Sequence, residues 1–212
     1  MPAIIYKNDQ GQRVPSVTSI ISQWGISKQP LMYWAWKQGE KGIPLSEKPE
    51  ADVGTIAHMM IDADVKGKPL DLSKFKIELI EQARPCFNNF IEWRDSHKFK
   101  AVETEISLIS EQYQYGGTID CIAQIDGKLS ICDWKTSKEI YEDYLVQIAS
   151  YGQLWLENFP DHTLEGGYHI LRTGKEIAMF AHSWYGEFPK GWEAFLHLRE
   201  LYDLSKEIKK LK

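Results

Sequence analysis

"GGTIDCIAQIDGKLSICDWKTSK", residues Gly116–Lys138, decides the fold. Two runs of strand-forming residues flank Asp126-Gly127, a pair that readily takes the positive backbone angles of a tight hairpin turn. The spacing predicts antiparallel strands over Tyr113–Gln124 and Lys128–Lys135. Core strands are expected to be apolar, yet the second ends in Asp133-Trp134-Lys135 and the first carries Asp120. Residues two apart on a strand share a face, so Asp133 and Lys135 project together and Trp134 projects away. Counting back through the turn brings Asp120 near the level of Asp133.

Two carboxylates at one end of a sheet repel each other unless something neutralises them. A hard divalent cation does so, because Mg²⁺ takes one or two carboxylates and keeps the rest of its octahedron for water and phosphate oxygens. Lys135 beside such a site would stay protonated, suited to orienting a water or stabilising charge on a phosphorus-bound oxygen. On their own, an Asp and a Lys two apart at a strand end are most often solvated charges.

Outward from this hairpin the hydrophobic period changes twice. Before it, Lys100–Ser110 alternates, with Val102, Thr104, Ile106 and Leu108 on one face and Glu103, Glu105 and Ser107 on the other. Helical spacing covers Pro30–Gln38, Asp52–Lys66 and Ser73–His97, with Pro85 a point of kinking or splitting in the last. Lys41–Glu50 reads as a loop. The start predicts a small hairpin turning at Asn8–Gly11, then a short helix capped by Ser16 or Thr18. After the central hairpin come a helix over Glu142–Asn158, strands over Glu165–Leu171 and Glu176–Ser183 about Thr173-Gly174, and a helix over Phe188–Lys209. The expected fold is α/β (α+β): a central mixed sheet flanked by helices. A single domain spans 1–212, mainly helical over 1–98, with the sheet core at 99–183 and the last helix in 184–212.

The chain has 212 residues, 43% apolar and 26% charged, the composition of a soluble globular protein. No apolar run approaches the ~18 residues of a membrane span, and the start reads as neither a signal nor a transit peptide, so a cytoplasmic protein without membrane contact is expected. The net charge of −5 argues against a basic coat for nucleic acid but not against a local basic groove. Cys86, Cys121 and Cys132 form no CxxC pair and read as buried thiols.

Taken together, Gly117-Thr118-Ile119-Asp120 and Asp133-Trp134-Lys135 across a short hairpin resemble the core of the PD-(D/E)XK nuclease superfamily. Gln147 and Tyr151, i and i+4 on the following helix, resemble the QxxxY of its RecB-like exonuclease branch. Gly54-x-x-x-His58 resembles that branch's GxxxH, and Pro15-Ser16-Val17-Thr18 the opening segment of mitochondrial genome maintenance-type exonucleases and their phage and bacterial relatives. The likeness runs from about Pro15 to the last helix.

The resemblance implies a restriction-endonuclease-like core under an N-terminal helical arch, and a metal-dependent DNA exonuclease that prefers single strands and works by one-metal or two-metal in-line water attack. It implies Asp120, Asp133, Lys135 and Glu103 as catalytic, and His58, Asp120, Asp133 and the Trp134 carbonyl as ligands of Mg²⁺ or Mn²⁺. Gln147, Tyr151, Ser16 and Thr18 would bind or orient DNA. Periodicity does not choose between Glu103 and Glu105; the resemblance favours Glu103. Some relatives hold an iron–sulfur cluster with cysteines near the C-terminus, but no cysteine follows Cys132 here, so no cluster is expected. Replication or recombination proteins are the partners such an enzyme would meet, in a bacterial or phage-infected cell. Two alternatives stand beside it: a non-catalytic nucleic-acid binding module, and a flap-cutting endonuclease. Trp24, Tyr33, Trp34 and Trp36 read as core or as stacking platforms for unpaired bases.

Overall fold

The computed structural model describes residues 4–25, 28–40, 42, 49–137, 139–174, 180–187 and 189–211. Its elements run in the order β1 (Tyr6–Lys7), β2 (Arg13–Val14), α1 (Val17–Ile21), α2 (Lys28–Glu40), α3 (Pro49–Lys66), α4 (Ile77–Asp95), β3 (Phe99–Ser110), β4 (Tyr115–Ile125), β5 (Lys128–Lys135), α5 (Glu142–Asn158), β6 (Gly167–Arg172), β7 (Ala181–Tyr185) and α6 (Pro189–Lys210). Most expected loop residues in Lys41–Glu50, and part of the expected strand over Glu176–Ser183, lie outside the described residues. Pro85 does not split α4, which carries it inside one continuous span.

Five strands form one mixed sheet in the order β3-β4-β5-β6-β7. β3, β4 and β5 are antiparallel neighbours, β5 and β6 run parallel, and β6 pairs with β7 antiparallel. The parallel pair needs a crossover, and α5 supplies it. Asp126 and Gly127 both hold positive φ, at 52° and 85°, so the β4–β5 connection is the expected two-residue turn.

Helices cover both faces. On one, Val17, Ile20 and Ile21 of α1, Tyr151, Leu154 and Trp155 of α5 and Phe195 of α6 are buried against Ile119, Ile122, Ile131 and Ile170. On the other, Ile61 of α3 and Phe90 and Trp93 of α4 meet Cys121, Ala123, Cys132, Trp134 and Leu171. Trp134 thus points away from its two charged neighbours into an aromatic cluster, with its ring 5.0 Å from that of Phe90. All three cysteines are buried thiols. Among the described residues no helix is long and apolar enough to cross a membrane.

The alternation of β3 is broken at one point. The ladder shifts register between Ala101 and Glu103, leaving Val102 as a bulge residue, 46% exposed. A bulge inserts one residue on one strand only, which moves Val102 off the expected buried face while Leu108 stays buried.

Candidate metal centre

β4 and β5 part company where the charged residues begin. Their paired register ends at Cys121 opposite Cys132. One step beyond, Asp120 and Asp133 face each other across a fork, at the level that counting through the turn predicts. Past the fork β5 continues its ladder with β6, as Trp134 opposite Leu171 and Lys135 opposite Arg172. The N–H of Trp134 on the fork side has no strand to pair with, and it donates to Asp120 Oδ2 at 2.8 Å. A strand residue turns its N–H and C=O to the same edge, so the Trp134 carbonyl also looks into the fork.

Glu105 enters from the other side of β4. Thr104 lies opposite Cys121 and Ile106 opposite Ile119, which sets Glu105 level with Asp120. Its φ of 50° is unusual for a residue with a side chain, a local departure from strand geometry beside Asp120. Glu103 stands opposite Ile122 and lines a groove with Val65, Lys66 and Thr104.

His58 arrives on α3. A Cβ added to Gly54 would lie 2.9 Å from Thr136 Oγ1, so a larger residue there would have to displace the Thr136 side chain where the helix approaches the end of β5. One turn later, His58 Nδ1 stands 3.8 Å from Asp120 Oδ2. Ligand atoms from His58, Glu105 and Asp120 all lie within 4.8 Å of one another. A nitrogen donor among carboxylates shifts metal preference from Mg²⁺ toward Mn²⁺.

Asp133 is the most buried member, 1% exposed. Neither of its oxygens receives a well-angled hydrogen bond, although Lys135 Nζ forms an ion pair with Oδ2 at 2.5 Å. Burial pushes the Asp133 carboxyl up, Lys135 pulls it down, and Asp120 pushes it up again, with a net rise. Lys135 behaves in the opposite sense. Burial lowers it, and the charges of Asp133 and Asp120 outweigh burial, so its ammonium holds its proton. The same ammonium sits 4.8 Å from the centre of the Tyr144 ring.

Glu105 is pushed up to about 7, first by desolvation and then by the charge of Asp120. By surface area the residue counts as exposed, so solvent screening moderates the effect without changing its direction. Crowded carboxylates with raised pKa values are what a divalent cation relieves, since its charge inverts the local balance. The donors fit such an ion: the carboxylates of Asp120 and Glu105 and the imidazole of His58 lie within reach of one centre, with the buried Asp133 carboxylate beside them lacking a hydrogen-bond partner.

Gln147 and Tyr151 meet each other on α5, where Gln147 Nε2 donates to Tyr151 Oη at 2.8 Å. Tyr151 is buried and its hydroxyl is raised well above the usual phenol range, by burial first and then by Asp133 and Asp120. It reaches that depth because Gly117 leaves room: an added Cβ would lie 2.7 Å from Tyr151 Cε1. Ser16 and Thr18 stand at the start of α1, outside the carboxylate cluster. Ser16 Oγ accepts from Ser19 N at 3.1 Å and lies 3.1 Å from Thr18 Oγ1.

Three residues near the cluster were not singled out from sequence. Asp62 and Lys66 pair at 2.7 Å one and two turns beyond His58, and both act electrostatically on Glu105. The i, i+4 step from His58 to Asp62 is the signal for them. Tyr6 is the third, with its hydroxyl 2.8 Å from Thr118 Oγ1, which in turn lies 2.7 Å from Ser107 Oγ. Nothing in the local pattern of β1 marks it.

No family model matches the chain. It is 26% identical over 136 residues to mitochondrial genome maintenance exonuclease 1 of Homo sapiens. That match covers 59% of this chain and 37% of the human protein, so the chain spans little more than a third of that relative's length. Among solved structures it resembles SSO0001 with a TM-score of 0.49 at 15% identity, over 96% of this chain and 79% of that one. It also resembles a protein from Eubacterium rectale that carries a provisional exonuclease name, with a TM-score of 0.47 at 12% identity, over 77% and 68% of the two chains.

Proposed function

We propose that the chain is a metal-dependent DNA nuclease of the PD-(D/E)XK type, acting as an exonuclease with a preference for single strands. One observation carries the reading. At the fork between β4 and β5, Asp120 gathers with His58 of α3 and Glu105 of β3, beside the buried Asp133–Lys135 pair. The exonuclease name of the human relative agrees with it.

Asp120, Asp133, Glu105 and His58, with the Trp134 carbonyl, would hold Mg²⁺ or Mn²⁺. The carboxylate role that the family resemblance gives to Glu103 goes to Glu105 in this proposal, because Glu105 is the one level with Asp120. When bound, the ion supplies positive charge to a phosphoryl oxygen and acidifies a water. Lys135 acts beside it. Its ammonium, fixed by Asp133, donates hydrogen bonds and so orients the attacking water or offsets charge growing on phosphorus-bound oxygen. It is not a free base, since two carboxylates hold its proton in place. Gln147 and Tyr151 keep the floor of the site in position: the Tyr151 ring is wedged over Gly117 and its hydroxyl is held by Gln147.

The test is cleavage of an end-labelled single-stranded oligonucleotide in Mn²⁺ or Mg²⁺ by wild type and Lys135→Ala. Loss of about 100-fold or more in the variant is expected. Equal cleavage by both proteins rejects the role given to Lys135. A companion substrate with both ends blocked separates the exonuclease from an endonuclease, which would still cut it.

A further inference from the structure

A cavity of about 400 Å³ opens between the β1–β2 hairpin, the start of α1 and the outer half of α6. Its wall includes Tyr6, Arg13, Ser16, Ser19, Tyr202 and Lys206, and no carboxylate. In a chain of net charge −5 that is a local reversal of sign. The nearby Arg199 is neutralised by Asp203. Among the described residues Arg13 and Lys206 form no ion pair, so two cations face the cavity without an internal anion. The Lys206 ammonium stands 4.4 Å from the centre of the Tyr202 ring, which steadies it at the rim.

Tyr6 connects the cavity to the strand that carries Asp120. Its ring lines the cavity, and its hydroxyl lies 2.8 Å from Thr118 Oγ1, two residues before Asp120, and feels the charge of Glu105. Paired hydroxyls add polar capacity, with Ser16 Oγ 2.8 Å from Ser19 Oγ. An acid-free hollow with two unpaired cations and several hydroxyls favours a phosphate group over a neutral or cationic ligand.

We infer that this cavity is a phosphate-binding subsite for the nucleic-acid strand whose scissile bond lies at the carboxylate cluster, with Arg13 and Lys206 as its two cationic contacts. It rests on the nuclease reading above. Arg13 offers a planar fork to two phosphate oxygens, and Lys206 offers a point charge. The group bound is either a phosphodiester within the strand or a phosphate at its end; the chemistry is shared, and the test separates the two.

Binding of a fluorescently labelled single-stranded oligonucleotide to the full chain is followed by anisotropy, with Ca²⁺ replacing Mg²⁺, across about 50–200 mM NaCl. Wild type is compared with Arg13→Gln, Lys206→Gln and the double variant. Both side chains are exposed, so the variants are expected to fold, and a thermal melt checks this. Each lost phosphate contact should lower the slope of log affinity against log salt by about 0.7, so the double variant should lose about 1.4 and bind about tenfold or more weakly at low salt. The measurement is made on strands with a 5′-phosphate and with a 5′-hydroxyl. Weakening on both supports an internal phosphodiester; weakening confined to the phosphorylated strand supports a terminal phosphate. A double variant with wild-type affinity and slope on both strands overturns the subsite and leaves the nuclease reading standing. Wild type that cleaves no strand and binds neither overturns both.

Discussion

Glu105 lies level with Asp120 across the β3–β4 ladder, between the paired residues Thr104–Cys121 and Ile106–Ile119. This relationship sets the carboxylate count at the centre. It puts two acidic side chains side by side on neighbouring strands, with His58 closing the triangle from α3. Like charges this close cost stability and raise pKa values until a cation joins them.

The two glutamates of β3 should therefore separate cleanly. Glu105→Gln is expected to lower Mn²⁺-dependent cleavage by about 100-fold, at or above the loss seen when groups around a metal site are removed. Glu103→Gln should leave cleavage within a few-fold of wild type. A thermal melt with and without Mn²⁺ gives a second readout. The metal-induced rise in Tm should vanish in Glu105→Gln and persist in Glu103→Gln.

The central hairpin of this fold is legible in the sequence. Asp126-Gly127 marks the turn, and counting from it puts Asp120 level with Asp133. Gly54-x-x-x-His58 brings a histidine beside Asp120 because the glycine eases the approach of the helix to the end of β5 and the next turn carries His58. Alternation in β3, by contrast, could not choose between Glu103 and Glu105. The Val102 bulge and the positive φ of Glu105 arise from how β3 fits β4, which a period-two pattern does not encode. The Arg13–Lys206 cavity is likewise invisible in sequence, because its two cations meet only when the first hairpin packs beside α6.

Gly117 tests how the floor of the site is built. An added Cβ would fall 2.7 Å from Tyr151 Cε1 and 3.0 Å from both Leu154 Cδ1 and Val17 Cγ2, all within one packed cluster. Gly117→Ala should destabilise the fold by roughly 1–3 kcal/mol, the usual cost of overpacking. Urea denaturation measures this directly. Activity should fall further than stability requires, because the Tyr151 side chain that must move carries a hydroxyl close enough to feel the charges of Asp133 and Asp120.

A histidine pair at the far edge of the sheet gives a pH prediction. Trp93 Nε1 donates to His182 Nδ1 at 3.3 Å, so His182 carries its proton on Nε2 and donates to His169 Nδ1 at 2.9 Å. His169 Nε2 then donates to the Gly166 carbonyl at 3.1 Å. Every ring nitrogen is used only while both rings are neutral. Burial, followed by the charge of His182, lowers His169 to about 4. Its folded value lies below the unfolded one, so its share of stability is complete above about pH 6.5 and is lost as pH falls toward 4. That share is on the order of 3 kcal/mol at most. Denaturation midpoints between pH 7 and 4 should fall in wild type and fall less steeply in His169→Gln.

The central claim is that a divalent cation sits in the fork between β4 and β5. Anomalous diffraction from crystals soaked in saturating Mn²⁺ tests it most directly. The predicted result is a peak about 2.0–2.3 Å from carboxylate oxygens of Asp120, Asp133 and Glu105, with His58 at a similar distance. A fork without anomalous density at saturating Mn²⁺ would contradict it.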